Sequence, residues 1–200
     1  MAIRKIAQMG EPVLRRRADL VDPNEIASPF IQTLIEDMIE TMHDADGAGL
    51  AAPQVYESLQ LCVIEVDKNP RYPQFEPIPL TVLINPIVTP LVPSGGVGGE
   101  LRAEDSFQMY EGCLSVPGMR GQVVRPRKVR VQALDRAGNA LDFVWESFRA
   151  VVVQHETDHL LGTLYVDRAD PKTLTFQREY ERFVPADTRI RDQGKAVVGK

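Results

Sequence analysis

Hydrophobic positions first fall into a helical rhythm between Phe30 and Met42, where Phe30, Ile31, Leu34, Ile35, Met38, Ile39 and Met42 share one spacing. Ser28 and Pro29 supply an N-cap and a first helical position, which predicts a helix running to about Ala45. Asp46-Gly47 breaks it, and Gly47 to Gln54 follows as a compact run of mostly small residues. Strand-like apolar runs occupy 59–66 and 81–85, separated by an irregular excursion with Pro70, Pro73, Pro77 and Pro79. Residues 93–99 read as a flexible glycine-rich loop, and the absence of a Walker lysine beside those glycines argues against a phosphate cradle.

Lys128 to Leu134 alternates as a strand, Asp135 to Asn139 reads as a turn, and Leu141 to Trp145 as the return strand. This hairpin feeds a second helix from Ser147 to Leu161, with Gly162 as terminator, although Val151 to Val153 locally prefers a strand. Asp170-Pro171 opens a last helix to about Phe183, and 185–200 reads as a polar tail.

A chain of 200 residues, 44% hydrophobic and 26% charged, suits one globular domain, here 1–184. A net charge of -5 and a pI near 5.3 argue against a protein that coats DNA or an anionic membrane. No apolar run reaches the ~18 residues of a membrane helix. The first residues lack a secretory core and the length of a transit peptide, so a cytoplasmic setting is expected. Two cysteines cannot build a disulfide framework. Cys62 lies in an apolar strand-like run and reads as a buried thiol.

Chemistry concentrates in His155-Glu156-Thr157-Asp158-His159, which holds two of the three histidines. At i and i+4 on a helix both rings can reach one ion, and Glu156 stands beside them as a candidate general base. The pattern alone leaves the third ligand open and also fits a solvated helix face. Cys113, in a tight turn or strand edge, reads alone as a buried thiol or as that ligand; Cys with two His leaves one tetrahedral position for water. Gly47-Ala48-Gly49-Leu50-Ala51-Ala52 mimics a dinucleotide fingerprint, which needs a strand before it and a helix after it. Here a helix precedes and Pro53 interrupts the next segment, so the context rejects that use. Its small residues suit either close approach to an extended ligand or tight packing of a turn.

Three segments, Gly47-Ala48-Gly49-Leu50-Ala51-Ala52-Pro53-Gln54, Glu111-Gly112-Cys113-Leu114-Ser115 and Gln154-His155-Glu156-Thr157-Asp158-His159, closely resemble the three ordered motifs of peptide deformylases. With the elements above, the resemblance predicts an α+β fold, antiparallel strands packed around a central metal-binding helix with an N-terminal and a C-terminal helix. It implies a metal-dependent hydrolase that removes the N-formyl group from the N-terminal formylmethionine of newly synthesised polypeptides and releases formate. Cys113, His155 and His159 would be the ligands of one divalent cation, Fe2+ foremost, with Zn2+, Ni2+ or Co2+ able to replace it. Glu156 would be the acid and base, and Gln54 and the Leu114 N–H would hold the formyl oxygen.

Substrate would then run past Gly47, Ala48, Gly49, Glu111 and Gly112, with Arg120 near the mouth. Phe148, Val151 and Val152 share a helix face with His155 and fit either a methionine pocket or plain core. Arg125 and Asp158 are candidates for a charge pair that orients the ligand helix. Arg182, Arg189, Arg191, Lys195 and Lys200 either give the C-terminal region a transient ribosome contact or are simply solvated. Two rivals remain: a zinc endopeptidase, for which a cysteine ligand is atypical, and a structural metal clip, which lacks a fourth protein ligand.

Overall fold

A computed structural model describes residues 2–67, 77–91 and 101–192, with 191 and 192 as backbone only. Within these, the helices are α1 (Pro29–Asp44), α2 (Ser147–Leu160) and α3 (Gln177–Phe183). The strands are β1 (Gly49–Ala51), β2 (Leu61–Val66), β3 (Ile78–Pro90), β4 (Ser106–Cys113), β5 (Val116–Pro126), β6 (Lys128–Leu134), β7 (Ala140–Glu146), β8 (Thr175–Phe176) and β9 (Ile190–Asp192). They form two antiparallel sheets, one ordered β1-β2-β3-β6-β7 and the other β8-β5-β4-β9. The fold is α+β, as expected. Among the described residues no helix is long and apolar enough to cross a membrane.

The helix α2 lies at the centre, its first turns apolar and most of its residues, polar ones included, buried. Ala150, Val151, Val152 and Val153 are all buried, on more than one face. They pack with Cys62, Ile64, Leu83, Val129 and Val131 of the five-stranded sheet and with Phe107 and Met109 of β4. The strand preference of its valines is therefore overridden by packing. The other face of β2, Leu61 and Val63, meets Leu34, Ile35, Met38 and Met42 of α1. Each of these α1 side chains is fully buried, worth about 1.5–3 kcal/mol apiece by transfer from water.

Several boundaries differ from the sequence expectation. Phe30 is not on the buried stripe of α1; it is 54% exposed. The strand β3 continues past Asn85-Pro86 to Pro90, because a register shift between Ile84 and Ile87 absorbs the break and Asn85 takes a positive φ of 53°. The Asn85 amide fastens that bulge by pairing with both backbone groups of Val21. β4 and β5, which the sequence pattern did not mark as full strands, form a long hairpin. The last helix is divided: a 3-10 turn at Pro171–Thr173, the short β8, and only then α3. From the stretch expected to be a polar tail, Ala186–Thr188 forms a 3-10 turn and β9 pairs with β4. Of the excursion expected over 67–80, the end is not irregular, since Ile78, Pro79 and Leu80 open β3, while 68–76, the glycine-rich loop at 93–99 and the segment 193–200 lie outside the described residues.

Local signals explain the well-placed ends. Ser28 Oγ accepts from Ile31 N–H at 3.3 Å at the start of α1. Gly162, at φ 75°, follows α2. In the β6–β7 turn, Asp135 Oδ1 accepts from the Ala137 and Asn139 N–H groups, both at 2.8 Å. Replacing the α1 cap, Ser28→Ala, is expected to cost about 1 kcal/mol and to lower Tm by about 2–4 °C in thermal denaturation followed by circular dichroism.

Candidate metal centre

His155 and His159 sit one turn apart on α2, their ring centroids 5.1 Å apart and nearly perpendicular. Cys113 closes β4, where a register shift between Glu111 and Cys113 turns the chain into β5. One ligand atom from each of these three residues lies within 4.8 Å of the others. Cys113 Sγ is 3.3 Å from His159 Nε2 and accepts from Ser115 N–H at 3.4 Å. A thiolate with two imidazoles at this separation is the donor set of a tetrahedral transition-metal site with one position left for water or substrate. His155 Nδ1 donates to Glu111 Oε2 at 2.8 Å, which leaves Nε2 as its ligating atom. The residues therefore fit a divalent cation.

Behind the ligands runs a string of buried charges. Arg125 donates through Nε and Nη2 to the two oxygens of Glu111 at 2.5 and 2.9 Å, and through Nη1 to Asp158 Oδ2 at 2.8 Å. The pairing of Arg125 with Asp158 is the one expected, and Glu111 turns out to be its second partner. Arg168 adds a fork onto Asp158, at 2.7 and 2.6 Å, from the chain that follows α2. Tyr165 stacks on the His155 ring at 6.2 Å between centroids. Neither contact was legible in sequence: both residues follow the helix without periodic relation to it.

Electrostatics divide the titratable groups. Burial alone would raise the Glu111 carboxyl, but the charge and hydrogen bonds of Arg125, then His155, bring it down to about 2. Burial lowers the proton affinity of His155, yet hydrogen bonds and charge from Cys113 and Glu111 outweigh it and hold the ring well above its usual value. For His159, burial and then the charges of His155 and Arg125 push it well below.

Glu156 takes the opposite course to Glu111: burial raises its carboxyl to about 7, against the opposing charges of His155 and Arg125. Its Oε2 is buried with no hydrogen-bond partner among the described residues. Gly49 is what makes room for it, since a Cβ there would stand 2.5 Å from Glu156 Oε1. Gln54, 1% exposed, has its oxygen fixed by Ala51 N–H at 2.8 Å. Its Nε2 therefore faces Ser115 Oγ at 3.1 Å and Cys113 Sγ at 3.5 Å.

These groups open into a cavity of about 500 Å³. Gly47, Ala48, Gly49, Gln54 and Leu114 line it together with Phe148, Val151, Val152, His155 and Glu156. Glu111, Gly112, Cys113 and Arg120 also reach it, whereas His159 is enclosed behind them, 1% exposed. The structure thus brings all the sequence-derived site residues to one place. It adds Asp46, Met109, Met119, Gln177 and Glu181, which no motif marked.

The Glu111 carboxyl sets a pH dependence. Its folded value of about 2 lies below the ordinary 4.5, so its contribution is present above pH ~4.5 and is lost as pH falls toward ~2. The metal-free protein is expected to lose about 3 kcal/mol over that window, and Glu111→Gln to flatten that part of the curve, as measured by urea unfolding at stepped pH.

The polypeptide deformylase family model matches residues 3–174. A peptide deformylase of Leptospira biflexa is 46% identical over 169 residues, 84% of this chain and 88% of that protein. Peptide deformylase 1 of Nitrosomonas europaea is 46% identical over 163 residues, 82% of this chain and 85% of its own. The Met-Ala-Ser-bound crystal structure of a class I type b peptide deformylase from Acinetobacter baumannii matches with a TM-score of 0.73 at 36% identity, covering 84% of this chain and 98% of that one. A thiolate and two imidazoles around one point, a buried glutamate beside them and this likeness along most of the length lead to one conclusion: the chain belongs to the polypeptide deformylase family.

Proposed function

We propose that this protein is a metal-dependent hydrolase that removes the N-formyl group from the N-terminal formylmethionine of newly synthesised polypeptides, releasing formate. The observation that carries the reading is the meeting of Cys113, His155 and His159 within 4.8 Å, beside a buried glutamate. We assign them as the ligands of Fe2+; thiolate and imidazole also accept Zn2+, Ni2+ and Co2+. A cation bound there supplies positive charge that acidifies water and polarises the formyl carbonyl.

The remaining steps belong to the chain. Glu156, which lines the cavity beside His155 and whose buried Oε2 has no hydrogen-bond partner among the described residues, is placed to take the proton of the attacking water. Water adds to the formyl carbon, the carbon–nitrogen bond breaks, and Glu156 returns the proton to the leaving amine. Gln54 Nε2, aimed by the bond from Ala51 to its oxygen, and the Leu114 N–H would stabilise the developing oxyanion. Phe148, Val151 and Val152 would receive the methionine side chain, which adapts its shape to an apolar pocket. The backbone of Gly47 to Gly49 and of Glu111 and Gly112 would flank the peptide, with Arg120 at the mouth.

The same reading places the catalytic domain in 1–184 and sets the enzyme in a bacterial cytoplasm, in keeping with its bacterial relatives. It gives the C-terminal region, where Arg182 is exposed, a transient contact with the ribosome, since exposed cations suit RNA phosphate.

Two variants test the assignment in an anaerobic assay of formate release alongside metal analysis. Glu156→Gln is expected to keep its cation and lose at least about 100-fold in turnover of formyl-Met peptides; parent-like turnover would remove Glu156 from the mechanism. Gly49→Ala is expected to displace the Glu156 carboxylate and lower turnover about 100-fold with cation content kept, whereas full activity would show that the close approach does not matter.

A further inference from the structure

The family match ends at residue 174, yet the cavity does not. Gln177 and Glu181, from α3, line it as well. They stand at i and i+4 on the same helical face, and Gln177 Nε2 donates to Glu181 Oε1 at 2.7 Å. That bond orients the Gln177 amide. Its oxygen then accepts from Arg120 Nε at 2.8 Å.

Other contacts also hold the Arg120 guanidinium. It lies against the Gly112 backbone so closely that a Cβ there would stand 2.7 Å from Nη1. It faces the Tyr180 ring at 5.8 Å. Tyr180 in turn meets Tyr110 at 5.2 Å between centroids and carries Arg189 at 4.6 Å. The backbone around α3 is anchored at both ends. Before it, β8 pairs with β5 at Met119 and Arg120; after it, β9 pairs with β4 at Phe107 to Met109. Residues 175–192 thus flank the β4–β5 hairpin on both sides, as β8 and β9, and bring a helix to the cavity between them.

We propose that α3 is a recognition element for the peptide that follows the formylated methionine, with Gln177 as a positioning residue that fixes Arg120 at the cavity mouth. The inference rests on the deformylase reading above. Among the residues that line the cavity, Phe148, Val151 and Val152 are buried, whereas Arg120 and Gln177 are half-buried and Glu181 is exposed, so a methionine side chain held by the first three would direct the residues after it toward the other three. The contribution of Gln177 is therefore felt by a peptide long enough to reach the rim. It is felt far less by a substrate that ends at methionine.

The test compares formyl-Met-Ala-Ser with formylmethionine amide on the metal-loaded full chain, reading KM and kcat separately together with Tm. Gln177→Ala is expected to raise KM for the tripeptide about 5-fold more than KM for the amide, the loss of one hydrogen bond to a charged group. The exchanged pair Gln177→Glu with Glu181→Gln, which keeps an oxygen for Arg120 Nε and a hydrogen bond between positions 177 and 181, is expected to recover most of that loss. Equal KM changes on both substrates in Gln177→Ala, or none on either, overturn the role of Gln177. So does an exchanged pair no better than Gln177→Ala at an unchanged Tm. A parent enzyme that releases formate from neither substrate overturns the deformylase reading instead.

Discussion

Arg125 is 3% exposed and held between two carboxylates, and most of the site's geometry follows from keeping it there. A lone guanidinium in such a place would cost several kcal/mol, and so would either carboxylate without it. The three charges come from different elements: Glu111 from β4, Arg125 from β5 and Asp158 from α2. Satisfying them together locks the hairpin that carries Cys113 against the helix that carries both histidines. The second oxygen of Glu111 extends the lock to the His155 ring, and Arg168 extends it outward from Asp158 toward solvent. Ligand orientation is thereby a consequence of charge pairing in the core.

A second constraint is steric. The cavity floor needs a buried carboxylate beside backbone, and only a residue without Cβ at position 49 allows Glu156 to stand where it does. Gly112 plays the same part for Arg120. Burial then sets the proton affinity of Glu156: kept from water and from any close cationic partner of its own, the carboxyl rises to about 7, while Glu111, equally buried but gripped by Arg125, falls to about 2. Two glutamates in one site thus differ in proton affinity, one held near neutrality by burial and one held as a charge by Arg125.

The parts of the fold that were legible in sequence are those written in short-range signals. Ser28-Pro29 marked the start of α1, the alternation on either side of Asp135 to Asn139 marked the β6–β7 hairpin, and the spacing from Phe148 to His159 marked α2. Where partners lie far away in sequence, local patterns fell short. β4 and β5 were not seen as a long hairpin, β3 crossed an Asn-Pro step that would end an isolated strand, and Phe30 kept the helical rhythm while facing water. The extended link before α3 became β8 because an open edge of β5 was there to pair with it.

By itself, the sequence determined that His155 and His159 share a helix face with Glu156 between them, since the pitch of a helix is set by local hydrogen bonds and covalent geometry. Through motif likeness it also pointed to Cys113, Gln54 and the chemistry they serve. Tertiary structure alone decided the pairing of Arg125 with Glu111, the opposite proton affinities of Glu111 and Glu156, the clamp of Arg168 and the arrival of Gln177 and Glu181 at the cavity. The reason is physical: burial, charge compensation and close approach depend on groups brought together from distant parts of the chain, and no local pattern records which ones will meet.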